Sequence, residues 1–135
     1  MKYEFNTIPV PASRPIVTKS GTHYGKKYTQ FRKDIKQEIA KRYDLQNNFV
    51  FENLHCDIEL FIPLYKTYPL KRQNELEGQY CQHIKTGDID NNIKAILDAF
   101  NGVLYDDDNQ VVSVKAVKRW SPVGEGGFTI SVREV

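Results

Sequence analysis

The sequence predicts a small α+β fold: one mixed sheet of four to five strands with two main helices on one face, in a single domain spanning 1–135. Three patterns lead there. Phe51–Ile62 alternates apolar and polar side chains with period two, as a half-buried strand does. Two other stretches, starting near Tyr28 and Asn91, repeat apolar residues every three or four positions, the spacing of a helix. Strand-like and helix-like segments are segregated enough to favour helices packed to one side of a sheet.

Taken in order, residues 2–8 read as a short strand ended by Pro9 and Pro11, which cannot donate to a ladder. Residues 13–27 read as a loop rich in Arg, Lys, Gly and hydroxyls. The first helix runs from Tyr28 to about Tyr43, with Phe31, Ile35, Ile39 and Ala40 on one face and Lys33, Lys36, Gln37 and Lys41 on the other. In the alternating strand, Leu54, Cys56, Ile58, Leu60 and Ile62 share one face and His55, Asp57 and Glu59 the other, until Pro63 stops it. His55 is expected to be simply exposed. Residues 64–87, with Pro69, Gly78, Gly87 and many charges, read as a long irregular segment. The second helix covers about 91–101, with Ile93, Ile96, Leu97 and Phe100 inward and Gly102 as its stop. Val103–Tyr105 reads as a brief strand, Gln110–Trp120 as a longer one and Phe128–Val132 as the last. Trp120, at a strand end, is expected to pack.

Bulk properties exclude several classes. With 135 residues, 40% apolar and 12% aromatic, the chain can bury a core without disulfides and is not disordered. No window approaches eighteen consecutive apolar residues, so no membrane span is expected. The N-terminus has no signal-type apolar core, so the expected location is the cytosol. Cys56 and Cys81 lack C-x-x-C spacing, which argues against a structural zinc site. The 19 Lys plus Arg nearly balance 17 Asp plus Glu, for a net charge of +2. That total conceals strong local asymmetry.

The first asymmetry is acidic. Asp88 and Asp90 are two apart in backbone that should be extended before the helix, so both carboxylates aim to one side. Lys94 follows Asp90 by one helical turn. A second acidic group, Asp106-Asp107-Asp108-Asn109, comes after the helix. Eleven helical residues carry the chain about 16 Å away, and Gly102 to Asp108 spans at most about 24 Å if extended. Asp108 can therefore return beside Asp88 and Asp90. Two carboxylates about 4 Å apart repel by roughly 4 kcal/mol at an effective dielectric near 20. A divalent cation removes that cost, and an all-oxygen set favours magnesium or manganese. Each cluster also has an ordinary structural reading: Asp88 or Asp90 as a helix N-cap, and 106–109 as a solvated turn. An EF-hand fails, since Val111 and Val117 stand where glycine and glutamate are needed.

The second asymmetry is basic. Between Phe5 and Lys33 there is no Asp or Glu, but there are Arg14, Lys19, Lys26, Lys27, Arg32 and Lys33, with His23, Tyr24 and Tyr28 interleaved. Such a run is a phosphate-binding footprint with stacking surface, unless it is only a solvated face. Lys66, Lys71 and Arg72, then Lys115, Lys118 and Arg119, add to it. Lys85 and His83 precede the acidic motif, where they could touch a phosphate or only solvent.

Together these residues resemble the RusA-type Holliday junction resolvases (crossover junction endodeoxyribonucleases), a family of phage and bacterial enzymes. The resemblance rests on Gly87-Asp88-Ile89-Asp90-Asn91-Asn92-Ile93-Lys94, on Asp98-Ala99, and on Asp107-Asp108-Asn109-Gln110-Val111. Pro9, Pro11, Arg14, Pro15, Tyr24 and Lys27 extend it toward the N-terminus. The resemblance implies a small mixed sheet, a homodimer, and magnesium-dependent (or manganese-supported) cutting of two strands of a four-way DNA junction. It implies Asp88, Asp90 and Asp108 as the essential metal-binding acids, Asp107 as an accessory one and Lys94 as the catalytic lysine. Asp98 would support the site by pairing with Lys94, with Asn91 also supporting. It also implies a bacterial cytoplasm and a phage or prophage gene. Gly87 stands where the family commonly has Pro or a basic residue, and is expected to loosen the backbone there. Two other readings stay open: a non-catalytic branched-DNA-binding accessory protein of recombination, and a metalloenzyme acting on small phosphate substrates.

Overall fold

The computed structural model describes residues 2–13, 16–42, 53–82 and 87–135. It is an α+β fold with ten strands and helical elements. They run β1 (Lys2–Phe5), β2 (Ile16–Thr18), β3 (Gly21–His23), α1 (Lys26–Arg42), β4 (Leu54–Pro63), α2 (Leu70–Leu76) and α3 (Ile89–Ala99). A 3-10 turn (Asp108–Gln110), β5 (Val111–Ser121) and β6 (Gly127–Glu134) complete the chain. Four strands form one mixed sheet in the order β1-β6-β4-β5, and β2 and β3 form a separate hairpin. β4 pairs in parallel with β5 and antiparallel with β6, which in turn pairs antiparallel with β1.

The period-two pattern of β4 decides which face is covered. Leu54, Cys56, Ile58, Leu60 and Ile62 are all buried, while His55, Asp57, Glu59 and Phe61 on the opposite face are half-buried. Onto the buried face α1 sets Tyr28, Phe31 and Ile35, and α3 sets Asn92, Ala95, Ile96 and Ala99. Four phenylalanines lock the layers together. Phe5 stacks on Phe128 at 5.0 Å and meets Phe100 edge-on at 5.3 Å, and Phe31 lies 6.1 Å from Phe128. Burying such rings supplies the bulk of the core's hydrophobic stabilisation.

Four local expectations change. Residues 64–87 are not wholly irregular: α2 forms there, and Gly78–Cys81 is hydrogen-bonded along β5, with Tyr80 bridging Arg119. No periodic face announces α2, because none of its side chains is fully buried and only Leu76 packs, half-buried, against the core. The basic loop contains the β2–β3 hairpin, whose six paired residues are all exposed. Val103–Tyr105 is a turn rather than a strand, since the amides of Val103 and Leu104 fold back onto the Phe100 carbonyl. His55 is not simply exposed either. Its ring lies 2.8 Å from the Ser113 hydroxyl through Nδ1 and 3.0 Å from Asp57 through Nε2. Trp120 packs, as expected. Among the described residues no helix is long and apolar enough to cross a membrane.

At the start of β6, Gly127 has φ +151°, and a Cβ there would lie 2.1 Å from the Phe5 carbonyl oxygen. Gly127→Ala should therefore displace β1 and cost at least about 2 kcal/mol of stability, read as a lowered urea midpoint. An unchanged midpoint would refute this close approach.

Candidate active site

Residues that the sequence marks as acidic and reactive fall at the two ends of α3. At its N-terminus, Asp88 occupies the N-cap position with extended backbone (φ −73°, ψ 149°), yet its side chain makes no capping hydrogen bond. The ordinary structural explanation of this aspartate, helix capping, therefore does not apply. Asp90 follows in the first turn and Lys94 one turn later, and all three side chains are exposed. The positive end of the helix dipole favours carboxylates at this position.

The backbone just before Asp88 is held from three sides. Lys118 Nζ donates to the Gly87 carbonyl at 3.1 Å, and Asn92 Nδ2 donates to the carbonyls of Gly87 at 3.3 Å and Asp88 at 3.1 Å. Pro11 closes the third side: a Cβ on Gly87 would sit 2.6 Å from the Pro11 Cβ. Gly87 also has φ +84°, a left-handed conformation that favours glycine. The expected loosening is thus absent, because the residue that lacks a side chain is the one that lets arm and helix close together. Asn91 has an exposed side chain and contributes its backbone carbonyl, which accepts from the Ala12 amide at 3.0 Å.

The buried amide is that of Asn92, which the sequence reading passed over. It is fully buried, with Oδ1 unpartnered. Its signal was available: position 92 falls on the same helical face as Ala95, Ile96 and Ala99, so a polar residue there had to be oriented inward.

At the other end of α3, Asp98, Asp107 and Asp108 come together. Asp98 Oδ2 accepts from the Tyr28 hydroxyl at 3.1 Å, and no ion pair joins Asp98 or Asp90 to Lys94 among the described residues. The expected Asp98–Lys94 pairing is replaced by one between α3 and α1. Asp108 opens the 3-10 turn, where the Gln110 side-chain oxygen accepts the amides of Asp106 and Asp107. Partial burial, then the hydrogen bond and negative charge of Asp98, then Asp107, push the Asp108 carboxyl up to about 6. Burial and the Asp98 carboxylate likewise push Tyr28 up to about 12. Tyr105, buried beneath, donates to the Leu97 carbonyl and titrates well above the usual phenol range, chiefly through burial. Among the described residues no three His, Cys, Asp or Glu side chains, Asp98, Asp107 and Asp108 included, are arranged so that they could hold a metal ion. Asp98 lies eight residues beyond Asp90, about 12 Å along the helix. The compact 100–105 turn takes up chain that the extended path would have used to bring Asp108 back to Asp88.

A model of the endodeoxyribonuclease RusA family matches residues 6–133. The chain belongs to the RusA endodeoxyribonuclease family. This RusA-family chain is also 31% identical over 81 residues to the uncharacterized protein YqaN of Bacillus subtilis. That alignment covers 58% of the chain and 56% of YqaN, so it spans little more than half of the relative's length. RusA-family resolvases are nucleases associated with Holliday junctions and are generally dependent on a divalent metal.

In this RusA-family chain the carboxylates suit such a metal by chemistry. All are hard oxygen donors, and magnesium binds through as few as one or two of them, keeping water elsewhere. Burial first, and then the Asp98 and Asp107 carboxylates, raise the Asp108 carboxyl, and a cation would relieve the part that comes from those charges. The basic residues lie along α1 and the hairpin: Lys19, Lys26, Lys27 and Lys33 are exposed, Arg32 is half-buried and stands over the Tyr28 ring at 5.8 Å, and Tyr24 lies 5.8 Å from Tyr28. Arg14, Lys85 and His83 fall outside the described residues.

The crowding has a measurable cost. A folded-state carboxyl raised from 3.8 to about 6 destabilises the fold fully above pH 6 and not at all below about pH 4. Asp108→Asn removes that cost and can donate to Asp98. In chelator at pH 7 it should gain about 1 kcal/mol after allowance for solvent screening, a few degrees of melting temperature. The gain should vanish toward pH 4; a variant no more stable than the wild type at pH 7 would show that the charge is not crowded.

Proposed function

We propose that this chain is a magnesium-dependent, structure-selective DNA endonuclease that resolves four-way junctions by paired, symmetric phosphodiester hydrolysis. The observation that carries this reading is the Asp88 carboxylate, presented at a rigidly held helix start without capping that helix, in a RusA-family chain. Asp88 and Asp90 at the start of α3 would hold a divalent ion, Asp108 with Asp107 accessory would supply metal-binding acids at the other end of the helix, and manganese would substitute. A bound divalent ion supplies Lewis-acid polarisation of the phosphate and a more acidic water nucleophile.

The protein's own groups do the rest. Asn92 and Lys118 hold the backbone that carries Asp88. Tyr28, through Asp98, orients the carboxyl of Asp108. The Lys94 ammonium neutralises charge that develops on the scissile phosphate. Lys19, Lys26, Lys27, Arg32, Lys33 and the flanking Arg14 and Lys85 bind the phosphodiester backbone, so affinity falls steeply with salt. A single domain acting as a two-fold homodimer suits a junction with paired, symmetric cleavage points.

Two variants test the assignment. With labelled four-way junctions and magnesium, Asp90→Asn should cut at least about a hundred-fold more slowly than the wild type. Equal cutting by both would remove Asp90 from the site. Junction binding with no metal-dependent cutting by the wild type would favour an accessory DNA-binding role instead. Lys94→Ala should keep junction affinity within about three-fold, being one phosphate contact among many, while the single-turnover rate falls by about 100-fold or more. A large loss of affinity would contradict the catalytic role.

A further inference from the structure

A groove of about 760 Å³ runs along the β5 edge of the sheet, and Tyr80, Gln82, Gly87, Asp88, Ala116 and Lys118 are among its lining residues. Its lining therefore includes both the acidic Asp88 and the aromatic Tyr80. Tyr80 is 72% exposed, an unusual state for a ring whose backbone is so firmly held. Gly78 N donates to the Trp120 carbonyl at 2.9 Å, Trp120 N to the Gln79 carbonyl at 2.9 Å, and Cys81 N to the Lys118 carbonyl at 3.0 Å. The segment is thus laced to β5 on both sides of Tyr80.

Arg119 covers one face of the ring, its guanidinium carbon 4.6 Å from the centroid, and is itself anchored by Nη1 donating to the Gly78 carbonyl at 3.1 Å. With one face so occupied, the large remaining exposure is the opposite face and the ring edge. A pre-ordered ring with one free face is a stacking surface, and it loses little further entropy when something flat settles on it.

We propose that Tyr80, backed by Arg119, stacks on an unpaired nucleobase at the branch point of the DNA being cut, next to the phosphate held at Asp88. The inference rests on the endonuclease reading above. The occupant follows from chemistry. Lys118 and Arg119 place positive charge beside the ring, which suits a polyanion, and the Gln82 amide is available to a base edge. A base inside a duplex has both faces covered by its neighbours, whereas a base at a branch, or at a duplex end, can offer one. Tyr80 would therefore discriminate branched from linear DNA without reading sequence.

The test uses the full-length protein in chelator, with a four-way junction carrying 2-aminopurine at the crossover and a duplex of the same sequence as the reference. Tyr80→Ala should weaken junction binding by roughly ten-fold or more, change duplex binding by less than about two-fold, and alter the 2-aminopurine signal of the complex. Tyr80→Trp should retain junction affinity and show indole quenching on binding, and its retained affinity guards against a folding defect in the alanine variant. If the wild type prefers the junction and Tyr80→Ala keeps that preference and the same 2-aminopurine signal, the stacking role is overturned while the endonuclease reading stands. Equal losses on junction and duplex would also overturn it, leaving Tyr80 as a general backbone contact. If the wild type has no preference for the junction, both readings fall.

Discussion

The inward face of α3 decides where the reactive groups on that helix point. Ala95, Ile96 and Ala99 are buried on it, and two of these three are small enough to bring the helix close to the sheet. Close packing of this kind fixes the rotation of the helix about its axis, because a turn of one residue would drive a charged side chain into the core. With that face committed, Asp90 and Lys94 must face outward, and Asp98 must project sideways toward Tyr28 on α1. The same face admits one polar side chain, Asn92, at the end where Asp88 is displayed. Leaving Asn92 Oδ1 without a partner costs about 1–3 kcal/mol. The return is two donated hydrogen bonds that fix the backbone of Gly87 and Asp88. A polar group retained at such cost beside a reactive carboxylate is a sign that position matters more there than stability.

Electrostatics divides the molecule in a complementary way. Asp98, Asp107 and Asp108 are crowded over the buried phenol of Tyr105, and the Tyr28 hydroxyl relieves only part of the repulsion. The lysines and arginines that could neutralise them are instead spread along α1 and the hairpin, mostly exposed. A protein built for stability alone would interleave the two signs. In the endonuclease reading proposed above, the basic surface would draw a polyanion and the acidic oxygens would be left for a cation. The near-neutral net charge is the sum of these two opposed regions rather than evidence that neither exists.

How much of this could be read from the sequence depended on whether burial imposed a period. The alternation of β4 is visible in its letters because every second residue is in the core, and the face of α1 with Phe31 and Ile35 is visible for the same reason. α2 and the β2–β3 hairpin were not legible, since neither has a fully buried side chain to impose a period. Among the site residues, Asp88, Asp90, Lys94, Asp107 and Asp108 were legible as a spaced motif. Their partners were not. The Asp98–Tyr28 hydrogen bond joins residues 70 apart, and the Lys118–Gly87 contact joins residues 31 apart. A glycine's conformational freedom suggests looseness at Gly87, whereas Pro11 and two donated hydrogen bonds hold it in place.

The strand β5 ties these elements together through its alternation. Successive side chains on a strand point to opposite faces. Lys118 therefore reaches the Gly87 carbonyl on the helix-bearing side, while Arg119 turns to the other side and covers Tyr80. One step along the chain separates the residue that fixes the acidic loop from the residue that backs the aromatic ring. Both are carried on a strand whose register with β4 is continuous from His55–Ser113 to Pro63–Ser121. A one-residue slip would exchange the two side chains and lose both arrangements together. The spacing between ring and carboxylate is in this way set by the sheet itself.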